Sequence, residues 1–423
     1  MRILMLAQFY PPVIGGEERH VRALSQGLAA RGHDVVVATS AVPNAPAQEW
    51  DGAVRIERLR GTVHRFGGLF SEEERRHAPP APDPEMTLAL RRLAAAFRPQ
   101  VVHAHNWMVH SYLPLQRRRG PPLLLSLHDY SLICAKKRLM YRERLCQGPS
   151  WAKCLGCAAS HYGPAKGAVT TLALRLSAPF VARRVDLFLP VSRAVAVGSQ
   201  LAAHRLPFEV VPNFVPDDVA RFEPGFDEYL RRLPSTPYLL YVGDLSEDKG
   251  VNTLLAAYGQ LDSPPPLVLI GRRTPTLTAP LPPGARLEES WPHDAVMAAR
   301  RNALVALVPS VWPDPCPTTA IEAMACGQAV IAAASGGLTD IVADGETGFL
   351  LPPGDVGALR EAMRRLIDDE PLRRQLGAAA LRRVKRFQAG TVVPQIEAIY
   401  RRLRRARAAR RRAARSATVS PVR

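Results

Sequence analysis

No apolar run in this 423-residue chain reaches the roughly 18 residues that a bilayer-spanning helix needs. The nearest, residues 320–338, contains Glu322 and Gln328 and is broken by Gly327. Residues 1–10 are only a short apolar run ending in Pro11-Pro12, with no small-residue cleavage site, so they do not read as an export signal. The GxGxxG fingerprint of dinucleotide binders is also missing after the first strand, which argues against a nicotinamide enzyme. Acid is the minority charge, 38 Asp and Glu against 56 Lys and Arg. Residues 401–423 hold ten arginines and no acid at all. That tail reads either as a solvated helix or as a segment drawn to an anionic membrane, where each basic residue is worth ~1 kcal/mol. It has no aromatic beyond Tyr400 and the chain has no recognition motif, so nucleic acid is a disfavoured partner. The expectation is a cytoplasmic protein, with attachment at the inner membrane face through this tail as one of the two alternatives.

What is present is a globular composition, 47% hydrophobic, on a chain long enough for two cores. Short apolar stretches at residues 2–8, 35–39, 54–58, 101–103, 123–127, 187–191 and 210–212 predict strands, with helical periodicity between them, as at residues 17–31. Residues 61–85 gather Gly, Pro and charge and read as a loop, and residues 214–237 as a proline-punctuated linker. The alternation restarts with strands at 238–242, 267–270, 304–308, 329–332 and 348–351. Helices are expected at 252–260, 355–368, 371–387 and 391–414. Such alternation predicts an α/β fold of two doubly wound, Rossmann-like parallel-sheet domains facing each other across a cleft, with ligand crevices at the carboxyl ends of the strands.

Three strand ends carry candidate chemistry. After the first strand, Gly15-Gly16 opens a helix and lets a ligand approach the backbone. After residues 238–242, Lys249 stands where a cation would meet a diphosphate, although a loop lysine is usually just solvated. After residues 304–308 comes a carboxylate pair eight residues apart. Asp314 lies in the loop and Glu322 in the helix behind it, with Pro315, Cys316, Pro317 and Thr318 between them at the helix start. Two acids around an anion-ready helix end suit a ligand bearing both hydroxyls and phosphates. His128, at the end of the strand 123–127, is set either to hydrogen-bond a sugar hydroxyl or to serve as a core hydrogen-bonder.

Four cysteines fall in the order Cys134-x11-Cys146-x7-Cys154-x2-Cys157. In a reducing compartment disulfides are disfavoured, which leaves a tetrahedral thiolate site for structural zinc set against unrelated thiols in a loop. Cys316 and Cys326 read as packing residues.

Taken together, Gly15-Gly16 with the helix to Gly32-His33, Val211-Pro212-Asn213, residues 241–250, residues 314–327 and residues 344–350 resemble the family 4 retaining glycosyltransferases of the GT-B type. The resemblance runs from Met1 to about Arg402. It implies transfer of a sugar from a nucleoside-diphosphate sugar to an acceptor hydroxyl (of a glycan, a lipid-linked glycan or a metabolite), with no cofactor and no bridging metal. By the same resemblance Glu322 binds the donor ribose and Lys249 the diphosphate. Asp314 and the residues after it hold the transferred sugar, and His128 lies beside that sugar. The domains would be an acceptor-side domain over 1–213 with a Cys-rich insertion at 134–157, a nucleotide-sugar domain over 214–390, and a helix with arginine-rich tail over 391–423. Two positions depart from the family pattern. Asp314 stands where glutamate is usual, and Asp244 replaces an arginine of the diphosphate clamp, for which Arg272 or Arg273 would have to substitute.

Overall fold

The structure, a computed structural model, describes residues 1–13, 15–65, 80–142, 144–221 and 224–417. The chain divides into two compact units. One is built from Met1–Arg142, Cys146–Val211 and Val392–Arg423, the other from Pro212–Thr391 with Glu143–Leu145.

The first unit carries β1 (Arg2–Ala7), β2 (Asp34–Ser40), β3 (Gln48–Asp51), β4 (Val54–Leu59), β5 (Val101–His105), β6 (Leu123–Leu127) and β7 (Leu187–Pro190). They form one sheet in the order β3-β4-β2-β1-β5-β6-β7, parallel except for β3. Ile3 to Ala7 are all fully buried, because a central parallel strand is covered on both faces and so reads as an unbroken apolar run. The edge strand β3, Gln-Glu-Trp-Asp, has no such signature, and hydrophobic periodicity misses it. The expected strand at 210–212 is not one. Residues 207–211 follow β7 through Glu209 N–H to the Phe188 carbonyl and Val211 N–H to the Pro190 carbonyl, both 3.0 Å, but Pro207 and Pro212 bring no N–H to a ladder.

Helix α1 (Gly16–Ala30) buries Val21, Leu24 and Leu28. α2 (Pro84–Phe97) starts with Pro at its first position and with Asp83 accepting the Met86 N–H at 3.0 Å. Most of the loop expected over 61–85 lies outside the described residues; its ends hold a 3-10 turn, Thr62–Arg65, and the start of α2. Two helices, α3 (Trp151–Tyr162) and α4 (Pro164–Arg184), occupy the stretch between β6 and β7, so Cys154 and Cys157 sit on a helix and not in a loop.

The second unit is a six-stranded, all-parallel sheet of β8 (Tyr238–Val242), β9 (Leu267–Ile270), β10 (Ala285–Glu288), β11 (Ala303–Val308), β12 (Ala329–Ala333) and β13 (Gly348–Leu351), ordered β10-β9-β8-β11-β12-β13. Alternate residues of β8 enter different cores: Leu239 and Tyr241 one, Tyr238 and Leu240 the other. Helices α5 (Val251–Tyr258), α6 (His293–Ala299), α7 (Thr318–Ala325), α8 (Val356–Asp368) and α9 (Glu370–Arg383) cover the faces. Asp355 and Asp369 cap α8 and α9 by accepting the Ala358 and Leu372 N–H groups at 2.9 and 2.8 Å. Residues 214–237 belong to this unit and are not a free linker, since Val215 N–H donates to the Phe387 carbonyl at 3.0 Å.

The last helix, α10 (Ala389–Ala417), belongs to the first unit from Val392 onward. Val392, Val393, Ile396, Ile399 and Tyr400 form its buried stripe, at helical spacing. Val393 lies so close to α1 that a Cβ on Gly27 would press on it at 3.1 Å. Glu397, buried in that seam, accepts from Arg31 at 2.7 Å and meets His33 at 2.9 Å and Arg401. Further on, Arg402 pairs with Glu209, Arg404 donates to Gln100 at 3.4 Å, and Arg407 forks onto both Asp186 carboxylate oxygens at 2.6 Å. A good part of the basic tail is therefore engaged by its own unit.

Burial opposes the charge on Glu397, but the hydrogen bonds from Arg31, Arg401 and His33 prevail and pull its carboxyl down from 4.5 to about 2. Its contribution is thus complete above the usual carboxylate range and is lost as pH falls toward 2. Glu397→Gln is expected to cost about 2–3 kcal/mol in urea unfolding at pH 7, with a smaller penalty at pH 3.

Candidate active site

In the second unit the strand order reverses between β8 and β11, and the loops leaving these two neighbours are tied backbone to backbone. The Asp248 carbonyl accepts from Val311 N–H at 2.9 Å and from Trp312 N–H at 3.2 Å. Gly250, at φ +75°, allows the approach, since a Cβ there would run into the Pro309 carbonyl. On the other side Gly336, at φ +56°, lies against the backbone of Pro313 and Asp314 with no room for a side chain. The Asp314 carbonyl accepts from Gly337 N–H at 2.7 Å. This scaffold brings two of the expected residues together: the Lys249 ammonium donates to Asp314 Oδ2 and also lies 5.4 Å from the centre of the Trp312 ring. Asp314 is buried, while the Lys249 side chain remains 31% exposed.

The residues after Asp314 lead into α7. Pro315 and Pro317 have no N–H, so within the expected donor-holding stretch only Cys316 and Thr318 are able to donate from the backbone. The Cys316 carbonyl accepts from the Asn213 side chain at 3.2 Å, and burial pushes the Cys316 thiol up to about 12, which suits a packing role.

Glu322 is buried on α7 and held by two residues that the sequence did not single out. His293 Nε2 meets its Oε1 at 3.0 Å, and the buried Arg300 reaches its Oε2 at 3.5 Å. Arg300 also donates to the Thr319 carbonyl at 3.2 Å and to Gln328 at 3.3 Å. The signal available was indirect: a carboxylate on a buried helix face requires a cationic partner.

Asp244 does not turn away from its surroundings unpartnered. Arg272, from the loop after the adjacent strand β9, donates to its carboxylate at 3.1 Å. The pair is largely exposed, 73% for Arg272 and 48% for Asp244. Beneath it the Tyr241 hydroxyl donates to the Asp244 carbonyl at 2.7 Å. Burial, with Asp244 and Asp314 nearby, holds the Tyr241 phenol far above its usual range. Arg273 instead gives its backbone N–H to Glu289 at 2.8 Å.

In the first unit the corresponding strand ends carry Gly15-Gly16 after β1, Asn106 after β5 and His128 after β6. A Cβ on Gly16 would meet nothing in the protein within 4 Å. Glu17, next in α1, accepts from the Asn106 amide at 2.6 Å, and the Asn106 side-chain oxygen accepts the His128 N–H at 3.3 Å. Burial, together with Glu18 and Asp129, pushes the Glu17 carboxyl up to about 8.

His128 itself is not isolated. Its Nε2 hydrogen-bonds His105 Nδ1 at 2.8 Å with the rings stacked, and His20 meets it edge-on, centroids 4.9 Å apart. His103, 4.4 Å from His105 between centroids, bridges the Tyr400 hydroxyl at 2.6 Å and Ser126 at 2.8 Å. Burial drives His103 down to about 3 and His20 and His105 well below the usual histidine range. These rings are neutral at neutral pH. Two histidines two apart on one strand, His103 and His105, were the signal for this array, because such residues share a face.

Cys134, Cys146, Cys154 and Cys157 all line one small cavity of about 30 Å³ beside α3, and all are free thiols. Among the described residues no three His, Cys, Asp or Glu side chains are already gathered as metal ligands. The expected zinc site is therefore not preformed.

Two family models account for most of the chain: "Glycosyltransferase Family 4" over residues 14–219 and "Glycosyl transferases group 1" over residues 228–383. Glycogen synthase of Mycobacterium tuberculosis strain CDC 1551 is 27% identical over 437 residues, covering 95% of this chain and 94% of that protein. Sucrose-phosphate synthase from Thermosynechococcus elongatus has the same fold, with a TM-score of 0.72 at 23% identity over 96% of this chain and all of that one. Anabaena Alr3699/HepE, solved in complex with UDP-glucose, gives a TM-score of 0.66 at 17% identity over 94% and 99% of the two chains. Two Rossmann-like units of this kind define a sugar-nucleotide-dependent glycosyltransferase of GT-B fold. The chain belongs to glycosyltransferase family 4.

Because a methyl group at Gly250 has nowhere to go, Gly250→Ala is expected to cost about 2–4 kcal/mol in denaturant unfolding. An effect below about 1 kcal/mol would mean that the loops carrying Lys249 and Asp314 are not locked as described.

Proposed function

We propose that the enzyme moves a sugar from a nucleoside-diphosphate sugar to an acceptor hydroxyl with retention of the anomeric configuration. The observation that carries this reading is the Lys249–Asp314 pair. An ammonium ready for a diphosphate is held by a carboxylate that a donor would displace, freeing Asp314 to accept hydrogen bonds from the sugar hydroxyls. Glu322, buried and fixed by His293 and Arg300, is the acceptor for the ribose hydroxyls. Gly15-Gly16 admit the donor, with open space where a side chain at Gly16 would stand, and His128 is a hydrogen-bond partner for the reacting sugar, oriented by His105.

In the reaction the bond between the anomeric carbon and the diphosphate oxygen breaks. The acceptor oxygen bonds to that carbon on the same face, and the acceptor's proton passes to the departing phosphate. No carboxylate nucleophile takes part, unlike in retaining glycosidases. Catalysis is positional and electrostatic. The acceptor is a hydroxyl of a glycan, a lipid-linked glycan or a metabolite.

A second reading, a catalytically weak sugar-nucleotide binder, draws on Asp244, whose charge ties up Arg272. One donor titration separates the two. Glu322→Ala and Lys249→Ala are expected to weaken donor binding at least about tenfold each, as loss of a charge-assisted contact does. Asp244→Ala, by releasing Arg272, is expected to tighten it about threefold to tenfold, and Arg272→Ala to weaken it by a similar factor. NMR of the product anomer reports retention; an inverted product, or wild-type enzyme that binds donor without turnover, would end the proposal.

The four thiols around one cavity support a structural zinc held by Cys134, Cys146, Cys154 and Cys157 after they close on the ion. The expected content is about one zinc per chain, lost in Cys154→Ser. Metal-free wild-type protein of unchanged stability would assign the thiols to packing alone.

A further inference from the structure

Helix α4 is inside out. Its buried side carries Gly167, Thr170, Thr171 and Ser177 along with Leu174 and Val181. Its outer side carries Val169, Leu172, Leu176 and Phe180, between 48% and 61% exposed, at the three- and four-residue spacing of one helical face. The neighbouring helix α3 adds Trp151 at 54% and Leu155 at 38%. The two helices are closely joined: a Cβ on Gly167 would collide with the backbone of Ala158 and Ala159, and the Arg175 guanidinium lies 5.3 Å from the centre of the Trp151 ring. Six of the twelve exposed large hydrophobic side chains among the described residues are thus gathered on this one helical hairpin. Soluble monomers seldom present so concentrated an apolar surface without a use for it.

The hairpin's own charge is of one sign. Residues 144–185 contain no Asp or Glu but carry Arg144, Lys153, Lys166, Arg175, Arg183 and Arg184. At the end of α4, Arg184 donates to the Gln116 carbonyl, next to the exposed Arg117, Arg118 and Arg119. Arg407 of α10 donates to the Arg118 carbonyl and neutralises Asp186, the first acid after the hairpin. The apolar stripe therefore runs out onto a basic rim.

We propose that the α3–α4 face is a docking surface for an anionic lipid bilayer. Leu172, Leu176 and Phe180 enter the boundary between headgroups and acyl chains, Trp151 lies at the interface, and the arginines and lysines meet lipid phosphates. A protein partner or a second copy of this chain would match the apolar stripe, but a basic surface without acids has no complement in itself. No helix among the described residues is long and apolar enough to cross a membrane, so the contact is peripheral. It does not depend on the donor chemistry argued above.

The test is flotation of the full-length protein with vesicles of phosphatidylcholine alone and with added phosphatidylglycerol. Wild type is expected to float with the anionic vesicles and to release with salt. The triple variant Leu172→Gln, Leu176→Gln, Phe180→Gln should bind at least about tenfold more weakly, with its melting temperature and donor hydrolysis unchanged. A second variant, Lys166→Gln with Arg183→Gln, should keep the apolar stripe and lose salt sensitivity. The proposal is overturned if wild type ignores anionic vesicles or if the triple variant floats as wild type does. It is equally overturned if light scattering shows that the triple variant breaks an oligomer, which would make a second copy the occupant.

Discussion

The site in the second unit exists because two adjacent loops approach more closely than side chains allow. Asp248 ties its carbonyl to Val311 and Trp312, and glycine at 250 and 336 removes the atoms that would hold the strands of the loop apart. Only after that approach do a lysine on one loop and an aspartate on the other become partners. The ion pair is thus a consequence of backbone sterics as much as of charge. Its energy is drawn from a partly buried setting, where a missing partner would be costly for the buried Asp314. Such a pair is balanced to exchange one anion for another, which is what a diphosphate ligand demands of it.

The first unit manages its polar groups differently. Four histidines are packed into or against its sheet, and burial keeps at least three of them neutral. His105 Nδ1 and His128 Nε2 share one hydrogen bond, so whichever ring donates there, the other accepts. Beside them Glu17 and Asp129 share Asn106 as a donor. Burial, with Glu18 and Asp129 nearby, raises the Glu17 carboxyl to about 8, so it is mostly protonated at neutral pH.

Much of this was legible in the chain. Buried parallel strands are continuous apolar runs, and the loops at their carboxyl ends carried Lys249, Asp314 and Glu322 in plain view. What escaped were features defined by partners distant in sequence. Arg300 and His293 acquire meaning only when Glu322 is folded against them. His20 and His103 look like any core histidine until β5 and β6 are paired. The edge strands β3 and β10, Gln-Glu-Trp-Asp and Ala-Arg-Leu-Glu, carry charged residues and so lack the apolar signal. The segment from Trp151 to Arg184 was obscure for a separate reason. Most of its large hydrophobic residues lie on the outside, and periodicity alone does not say which face of a helix is buried.

The seam between α1 and α10 bears on how the molecule is made. The first unit is discontinuous: Tyr400, which closes over His103, and Glu397, which fastens Arg31, emerge from the ribosome after all of Pro212–Thr391. At about 5–20 residues per second, the 180 residues of that intervening segment occupy roughly ten to forty seconds. Throughout that interval the groove beside Gly27 stands open to water, and its leucines and valines are available to any passing apolar surface. The segment Pro212–Thr391 is therefore fully synthesised before the last piece of the first unit exists.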